Sequence, residues 1–582
     1  MYWFSVFLVS CLAVAGAQAA TTLHVSTFGA KADDGVDDTA AVRAALAAVK
    51  KAGAGVTLLF DKGCYDFFPN KAEERYLFVS NNDEGLKRIA FALEGLKDVT
   101  IDGRGARFLF RGWMTPFSIS QCDQVTLKNF SMDWTRTFHS EGVIVENHAD
   151  GVTVQIPPHF PYDIRNGVLV FTDGQLNTEP QTTVKGSELV YRYGSLLEFD
   201  VQRRETAYMV PDYYGLQNGI AAKDLGERKV RLFKDKLKGT VGNVFVFSPN
   251  HRDCCGFVLS DTQGTTLCDL TIYHAGGMGI LGQRSRDIVV ERVQVTPGKS
   301  RIVSTTADAT HFANCSGKLV LKDCLFENQK DDATNVHGIY VRVMGRTAQG
   351  IEIKLVHPQQ HGFHYLMPGM KIELVHGKSL ITYATATVKA VTVLNKEYAE
   401  VTVNEPLPAE LEAGDVIAEL DNYPETLISG CTIRNNRARG ILLGSRARMV
   451  IEKNTFHTPG AAILLEGDGC FWFEQAGVRD LVIRDNLFDT CNFGVWGRAT
   501  IETGAGPDKS CRATSRYNRN IVIENNTFKT FGIGAPLVQM YCAQNVTIRK
   551  NTIMTSEAYP AKKGDASTPY CFTDSDTIQI EP

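Results

Sequence analysis

An excess of charge of one sign is missing from this chain. Its 582 residues carry 61 Lys and Arg against 65 Asp and Glu, a formal net charge of −4. That balance leaves no basic footprint for nucleic acid and no strong attraction to anionic membrane surfaces. Beyond the extreme N-terminus no apolar run is long enough to span a bilayer. No pair of C-x-x-C motifs has zinc-ribbon spacing, so no structural metal is expected, and no other cofactor is implied. Glycine, at 51 residues, follows no collagen-like period. What remains is a globular mixture, 44% hydrophobic and 22% charged, long enough for several domains or for one elongated repeat body.

Residues 1–20 read as a secretory leader. Val6-Phe7-Leu8-Val9 and Leu12-Ala13-Val14-Ala15 form its apolar core, and Ala17-Gln18-Ala19 is a small-x-small cleavage pattern. Leu8-Val9-Ser10-Cys11 resembles a lipoprotein box, but Cys11 lies very early for one, so ordinary cleavage near Ala19 or Ala20 and export to the periplasm or beyond are expected. Of 14 cysteines, 13 then remain, an odd number, so at least one thiol is unpaired within a monomer. Several fall on apolar repeat positions and read as buried small hydrophobes.

The chain repeats itself. Met449-Val450-Ile451-Glu452-Lys453-Asn454-Thr455-Phe456 returns as Leu481–Phe488, Ile521–Phe528 and Val546–Ile553, with degenerate copies around Leu270, Val293, Cys324 and Cys431. Equivalent slots lie 23, 31, 23, 32, 40 and 25 residues apart. A floor near 23 with longer excursions predicts a parallel β-helix whose insertions leave as loops. The β-branched strands lack a 3.6-residue stripe, which disfavours a leucine-rich or helical repeat. Asn454, Asn486, Asn526 and Asn551 should stack as a ladder at a bend. Ahead of the coils, Val42, Ala45, Leu46 and Val49 recur at helical spacing after Asp38 and Thr39, either of which can cap the helix. A helix over the open end of the stack would block edge pairing. The Gly29-Ala30, Asp34-Gly35 and Asp37-Asp38-Thr39 run resembles the N-terminal cap of the pectate-lyase-like β-helix superfamily.

Two stretches alternate like antiparallel strands and are too long for structureless loops. The expected organisation is therefore all-β, a right-handed parallel β-helix with an N-terminal capping helix and two inserted small β-barrel or sandwich subdomains. Coils occupy 21–139, 249–340 (with the site) and 424–582; the insertions are 140–248 and 341–423.

The densest polar cluster lies in the central coils, in Thr305–Phe312 and Glu327–Gly338. Asp308 and Asp331 are 23 residues apart, one coil, so Asp308, Asp331 and Asp332 should converge on one outer face about 4.8 Å apart along the axis. Carboxylates that close do not all ionise, and a retained proton beside an ionised carboxylate is the acid and base of glycoside hydrolysis. An isolated Asp-Asp is usually a turn device; a third Asp one coil away, with Asn335 and His337 following, favours catalysis.

Gly276-Gly277-Met278-Gly279-Ile280 with Gln283-Arg284-Ser285, Ala307–Phe312 and Asp331–Gly338 resemble glycoside hydrolase family 110 over nearly the whole mature chain. The resemblance implies an exported bacterial exo-α-galactosidase removing terminal α-1,3-linked galactose with inversion. It implies Asp331 as general acid, with Asp308 and Asp332 placing and deprotonating the water. Family 28 polygalacturonases, with a similarly spaced triad, are the second choice, because Thr306-Ala307-Asp308 stands where they have Asn-Thr-Asp and their Gly-His-Gly and Arg-Ile-Lys segments are missing. An acidic site would also repel uronates, against both polygalacturonase and lyase; a non-catalytic carbohydrate-binding β-helix is the third class. Residues one coil apart in register would sit near the roughly 5–5.5 Å of retaining enzymes, so the roughly 6.5–9.5 Å of inversion needs adjacent residues turned apart at a bend. The expected partner is an oligosaccharide or glycan with terminal α-galactose. Candidate substrate-binding residues are His311, Asn335, His337, Arg439 (placed over Asp332 by aligning Cys431 on Cys324), Trp472, Glu474 and Gln283. For His337 a purely structural role is the alternative, for Trp472 packing under a loop, and for Arg439 a salt bridge.

Overall fold

Each coil turns where the sequence supplies a residue able to take positive φ. Lys453, Asp485, Asn525 and Lys550 all sit in the left-handed region, each directly before a ladder asparagine. Asp269, Arg292, Asp323 and Gly430 do the same before Leu270, Val293, Cys324 and Cys431. One left-handed residue bends the strand sharply, and the next side chain is turned into the wall. Where that residue is Asn it meets its neighbours. Asn454 donates its backbone N–H and its Nδ2 to Asn486 Oδ1 at 3.0 Å, Asn486 does the same to Asn526 at 3.0 Å, and Asn526 to Asn551 at 2.9 and 3.0 Å. Each Nδ2 also reaches a carbonyl of the preceding coil, so the corner is fully bonded without water.

The structure, a computed structural model of the 582-residue chain, describes residues 21–177, 189–421, 423–475, 477–504, 506–532, 534–562 and 568–582. The expected leader, residues 1–20, lies outside them. Two long parallel sheets run the length of the coils. The first takes two short strands per coil, such as Met449–Glu452 and Thr455–His457, one on each side of the left-handed corner. In it Met449, Leu481, Ile521, Val546 and Ile578 pair in register. Behind it Phe456, Phe488 and Phe528 stack with ring centroids 5.2 and 4.7 Å apart, the spacing of successive coils. The second sheet takes one strand per coil, among them Ile280–Gln283, Thr310–Ala313, Thr334–Ile339, Ile441–Leu443 and Ile463–Leu465. Apolar residues of both sheets fill the lumen as one continuous core.

Helix α1, Thr39–Ala52, lays Val42, Ala45, Leu46 and Val49 over the open first coil. Asp38 holds the N-cap position, one of the two expected, but its side chain makes no cap hydrogen bond. Asp37 Oδ1 accepts the Thr39 N–H at 3.0 Å, while Asp38 turns inward and accepts the amides of Lys31 and Asp66.

The first insertion is a ten-stranded antiparallel sheet from Ser140–His148 to Val244–Ser248. It returns through residues 249–256 just ahead of the second-sheet strand Phe257–Ser260. The second is a closed six-stranded barrel from Val341–Arg346 to Val416–Glu419, leaving directly after Thr334–Ile339. Closure removes the exposed edges that a small antiparallel sheet would otherwise present. Both insertions therefore flank the same stretch of the second sheet. All thirteen described cysteines are free thiols, most of them buried. Among the described residues no helix is long and apolar enough to cross a membrane.

Candidate active site

The strands Thr310–Ala313, Thr334–Ile339 and Ile441–Leu443 pair in parallel with Thr310 opposite Thr334 and Thr334 opposite Ile441. Two residues upstream, the same register sets Asp308, Asp332 and Arg439 at one corner of three successive coils. This corrects the expected stacking of Asp308 with Asp331. The local step is 24 residues rather than 23, so Asp332 is the residue in register, and the Ala309 N–H bonds the Asp332 carbonyl at 2.9 Å. Asp331 stands beside the ladder at the bend that precedes Thr334–Ile339.

Three arginines meet these acids. Arg439 Nε donates to Asp332 Oδ1 at 2.9 Å, and its Nη2 lies 3.7 Å from Asp331 Oδ1. Arg252, on the return of the first insertion, donates to Asp331 Oδ2 at 2.9 Å. Arg437 Nη1 lies 3.6 Å from Asp331 Oδ1, and its Nε is held by Asp212 of the first insertion at 2.9 Å. Burial acts to raise the Asp331 carboxyl, but Arg252, Arg437 and Arg439 outweigh it and hold it below its ordinary value. Asp308 goes the other way. Burial, helped by the Asp331 charge, pushes it up to about 8. Burial also lifts Asp332 well above the usual range, against the pull of Arg439. Burial and charge thus favour protons on the in-register pair and an ionised Asp331.

These groups line a small pocket of about 120 Å³ that is open to solvent. Its walls come from outside the coils as well as from them: Asn81 from the Glu73–Glu94 hairpin, Arg252, Gln359 from the second insertion, and Glu466, Gly467, Asp468, Trp472 and Glu474 from one loop. Three lining side-chain oxygens, Asp331 Oδ1, Asn335 Oδ1 and Gln359 Oε1, are buried without a hydrogen-bond partner among the described residues. Buried acceptors left open call for donors.

Of the residues singled out from sequence, Asp308, Asp331, Asp332, His311, Asn335, Arg439, Trp472 and Glu474 all line this pocket. Trp472 is 43% exposed and packs on His357 at 4.7 Å between centroids. The Asp468 carboxylate accepts the backbone amides of Cys470, Phe471, Trp472 and Phe473 and so fixes that loop. Asn81 and Asn335 both donate to Glu474, at 2.8 and 3.3 Å. Two expectations are corrected. Gln283 accepts the Ser80 amide and donates to the Phe78 carbonyl and Ser260 Oγ, so it ties the hairpin to the coils and does not reach the pocket. His337 lies behind His311, its side chain wholly buried and bonded to protein.

Sequence reading missed Arg252, Arg437, Asn81, Gln359, Glu466 and Asp468. Arg437, two residues before Arg439, carried a legible signal. Glu466 also follows a repeated Ile-Leu-Leu strand, Ile441–Leu443 and Ile463–Leu465, whereas the others sit in segments with no repeat to align.

The raised Asp308 carboxyl makes a stability prediction. Between about 4 and 8 the folded chain keeps a proton that the unfolded chain releases, so this group lowers stability as pH rises through that window. Asp308→Asn, which keeps the shape and supplies a fixed donor, should melt about 3 °C above wild type at pH 8. The gap should close toward pH 4. Melting curves at both pH values check this, and an equal gap at both would refute it.

Comparison with known proteins matches three family descriptions in tandem: GLAA-B beta-barrel domain I over residues 140–245, GLAA-B beta-barrel domain II over 350–417, and right handed beta helix region over 416–562. The alpha-1,3-galactosidase A of Shewanella woodyi is 35% identical over 553 residues, covering 94% of this chain and 88% of that protein. The chain belongs to the α-1,3-galactosidase family, glycoside hydrolase family 110. Alpha-1,3-galactosidase B of Bacteroides thetaiotaomicron is 30% identical over 94% of this chain and 88% of its own length. The Akkermansia muciniphila alpha-1,3-galactosidase B is 31% identical over 96% of this chain and 69% of its own length. The fold is accordingly the right-handed β-helix with two inserted β-barrel domains of this family, and the chain is a glycoside hydrolase.

Proposed function

We propose that this enzyme removes terminal α-1,3-linked galactose from glycans, with inversion, using Asp308, Asp331 and Asp332. The observation that carries the reading is a pocket that joins three carboxyl groups, two of them held by arginines, to a wall of open acceptors. Sugar hydroxyls are the donors those acceptors lack, and a uronate carboxylate would be repelled by them. Loops from four segments close the pocket around a chain end, which supports exo action over binding along an open groove. Trp472 offers an apolar face to the ring, and Arg439, Asn335 and Glu474 supply polar contacts. We infer from residues 1–20 that the enzyme works after export.

Inversion needs space for a water between acid and base. The departure of Asp331 from the Asp308–Asp332 register supports that separation. Asp331, the acid the family resemblance implies, is held below its ordinary value by three arginines. Its role as donor therefore requires that a proton pass to it from the cluster when sugar hydroxyls take up arginine N–H groups, which relaxes the hold of Arg252 and Arg439 on its charge. The test is proton NMR of fresh hydrolysate from an α-1,3-linked digalactoside. β-Galactose should appear first and then mutarotate; α-galactose first would refute inversion, and no release would refute the substrate.

A further inference from the structure

Behind Asp308 runs a chain of three hydrogen bonds with no solvent in it. Asp308 Oδ2 meets His311 Nδ1 at 2.7 Å, His311 Nε2 meets His337 Nε2 at 2.9 Å, and His337 Nδ1 meets the Gly338 carbonyl at 2.6 Å. The two rings stand edge to face, 5.0 Å between centroids. Each bond needs one proton. The carbonyl only accepts, so His337 Nδ1 carries one. The ring-to-ring bond needs a second and the carboxyl-to-ring bond a third. An ionised aspartate and two neutral imidazoles supply only two. The chain therefore holds one extra proton, which sits on Asp308, on His311 or on His337 without breaking any bond. Burial of all three favours the uncharged form, with the proton on Asp308.

We propose that Asp308, His311 and His337 form a proton relay that lets a protonated Asp308 serve as the base of the reaction. The proposal rests on the hydrolytic reading of the pocket given above. As water attacks the anomeric carbon, its proton goes to Asp308 Oδ1 while the proton on Oδ2 passes to His311 Nδ1. The proton on His311 Nε2 moves to His337 Nε2. The bond from the anomeric carbon to the leaving oxygen breaks, and that oxygen takes the proton of the donor carboxyl. The charge that arrives on His337 faces Glu474, whose Oε1 lies 3.6 Å from Nε2. The starting state returns when the relay runs backward as product leaves: His337 Nε2 gives its proton to His311 Nε2, His311 Nδ1 gives its proton to Asp308 Oδ2, and Asp308 Oδ1 releases its proton through pocket water to the donor carboxylate. His311 and His337 are thus positioning and relay residues, not groups that touch sugar by design.

The charged groups around the chain set its direction. Asp331 and Asp332 face Asp308 from the bend before Thr334–Ile339, Arg252 and Arg439 face it from the first insertion and the following coil, and Glu474 waits at the far end. Burial and the Asp331 charge hold the resting proton on Asp308 against the pull of Arg252 and Arg439, and Glu474 stands 3.6 Å from the His337 nitrogen on which charge arrives.

His311→Gln and His337→Gln keep hydrogen-bonding atoms but accept no proton. Each should lower kcat about 10–100-fold with KM within about threefold, and should move the pH optimum alkaline by about one unit, since Asp308 must then ionise before it can act. A loss of kcat with an unmoved pH profile, or no loss, would overturn the relay. Nitrogen-15 NMR of the histidine-labelled full chain without substrate counts the protons directly. His337 should be protonated at Nδ1 and His311 at Nε2, the variants supplying the assignment; a bare His337 Nδ1 would overturn the proposal. Because that measurement needs no turnover, it judges the relay even if galactosides prove not to be the substrate.

Discussion

Asp331→Asn should cut turnover of an α-1,3-linked digalactoside by about 10³–10⁴-fold and leave the fold intact. The reasoning turns on the leaving group. A sugar alkoxide leaves only with a proton, whereas fluoride leaves without one. If Asp331 is the donor, the variant should hydrolyse α-galactosyl fluoride within about tenfold of wild type. Asp308→Asn and Asp332→Asn, which strike the water-activating side, should lose activity on both substrates. The arginines hold the Asp331 carboxyl below its ordinary value, so the alternative outcome is equally definite. Loss on both substrates for Asp331→Asn, with fluoride activity kept by Asp332→Asn, would transfer the donor role to Asp332. Kinetics of three variants on two substrates decide it. Asparagine is the right replacement at each position, because removing a buried charge by an isostere avoids the cavity and the unpaired arginine geometry that alanine would leave.

The second large effect is on stability. Asn486→Ala should destabilise the chain by about 3–5 kcal/mol. Asn486 Oδ1 accepts the backbone amide and the Nδ2 of Asn454, and its own Nδ2 serves the Ile451 carbonyl and Asn526. All of these are buried, so removal leaves an orphan amide and an under-served carbonyl with no water to replace the lost partner. Asn551, at the end of the ladder and half-buried, still has one side open to solvent. Asn551→Ala should cost only about 1 kcal/mol. Urea unfolding of the two variants side by side tests the claim; equal effects would mean that the ladder contributes shape and not hydrogen bonding.

How much of this was legible beforehand differs from residue to residue. The asparagine corner was readable, because a left-handed residue, an Asn and an inward Phe follow each other within four positions at Asn454, Asn486 and Asn526. The convergence of Asp308, Asp331 and Asp332 was readable from one period. Which of them stack was not. Asp308 pairs with Asp332 because one extra residue enters the coil at a bend, and such an insertion leaves no trace in a spacing that already varies from 23 to 40. Gln283 shows the opposite failure. A polar residue in a motif near the site was read as facing substrate, yet its amide matches the open backbone groups at Phe78 and Ser80 of the hairpin and is consumed there.

The sequence by itself determined the coil architecture, the places where insertions leave it, and which three acids converge, since all three are written in local order and repeat. Only the tertiary structure decided the electrostatics of the pocket. Arg252 comes from the end of one insertion, Gln359 from the other, and Asn81 from a hairpin more than two hundred residues before the acids, and no local pattern links segments that meet only after folding. The raised Asp308 carboxyl follows from the same cause, because it depends on burial and on the charges of Asp331, Arg252 and Arg439, which only the fold brings together.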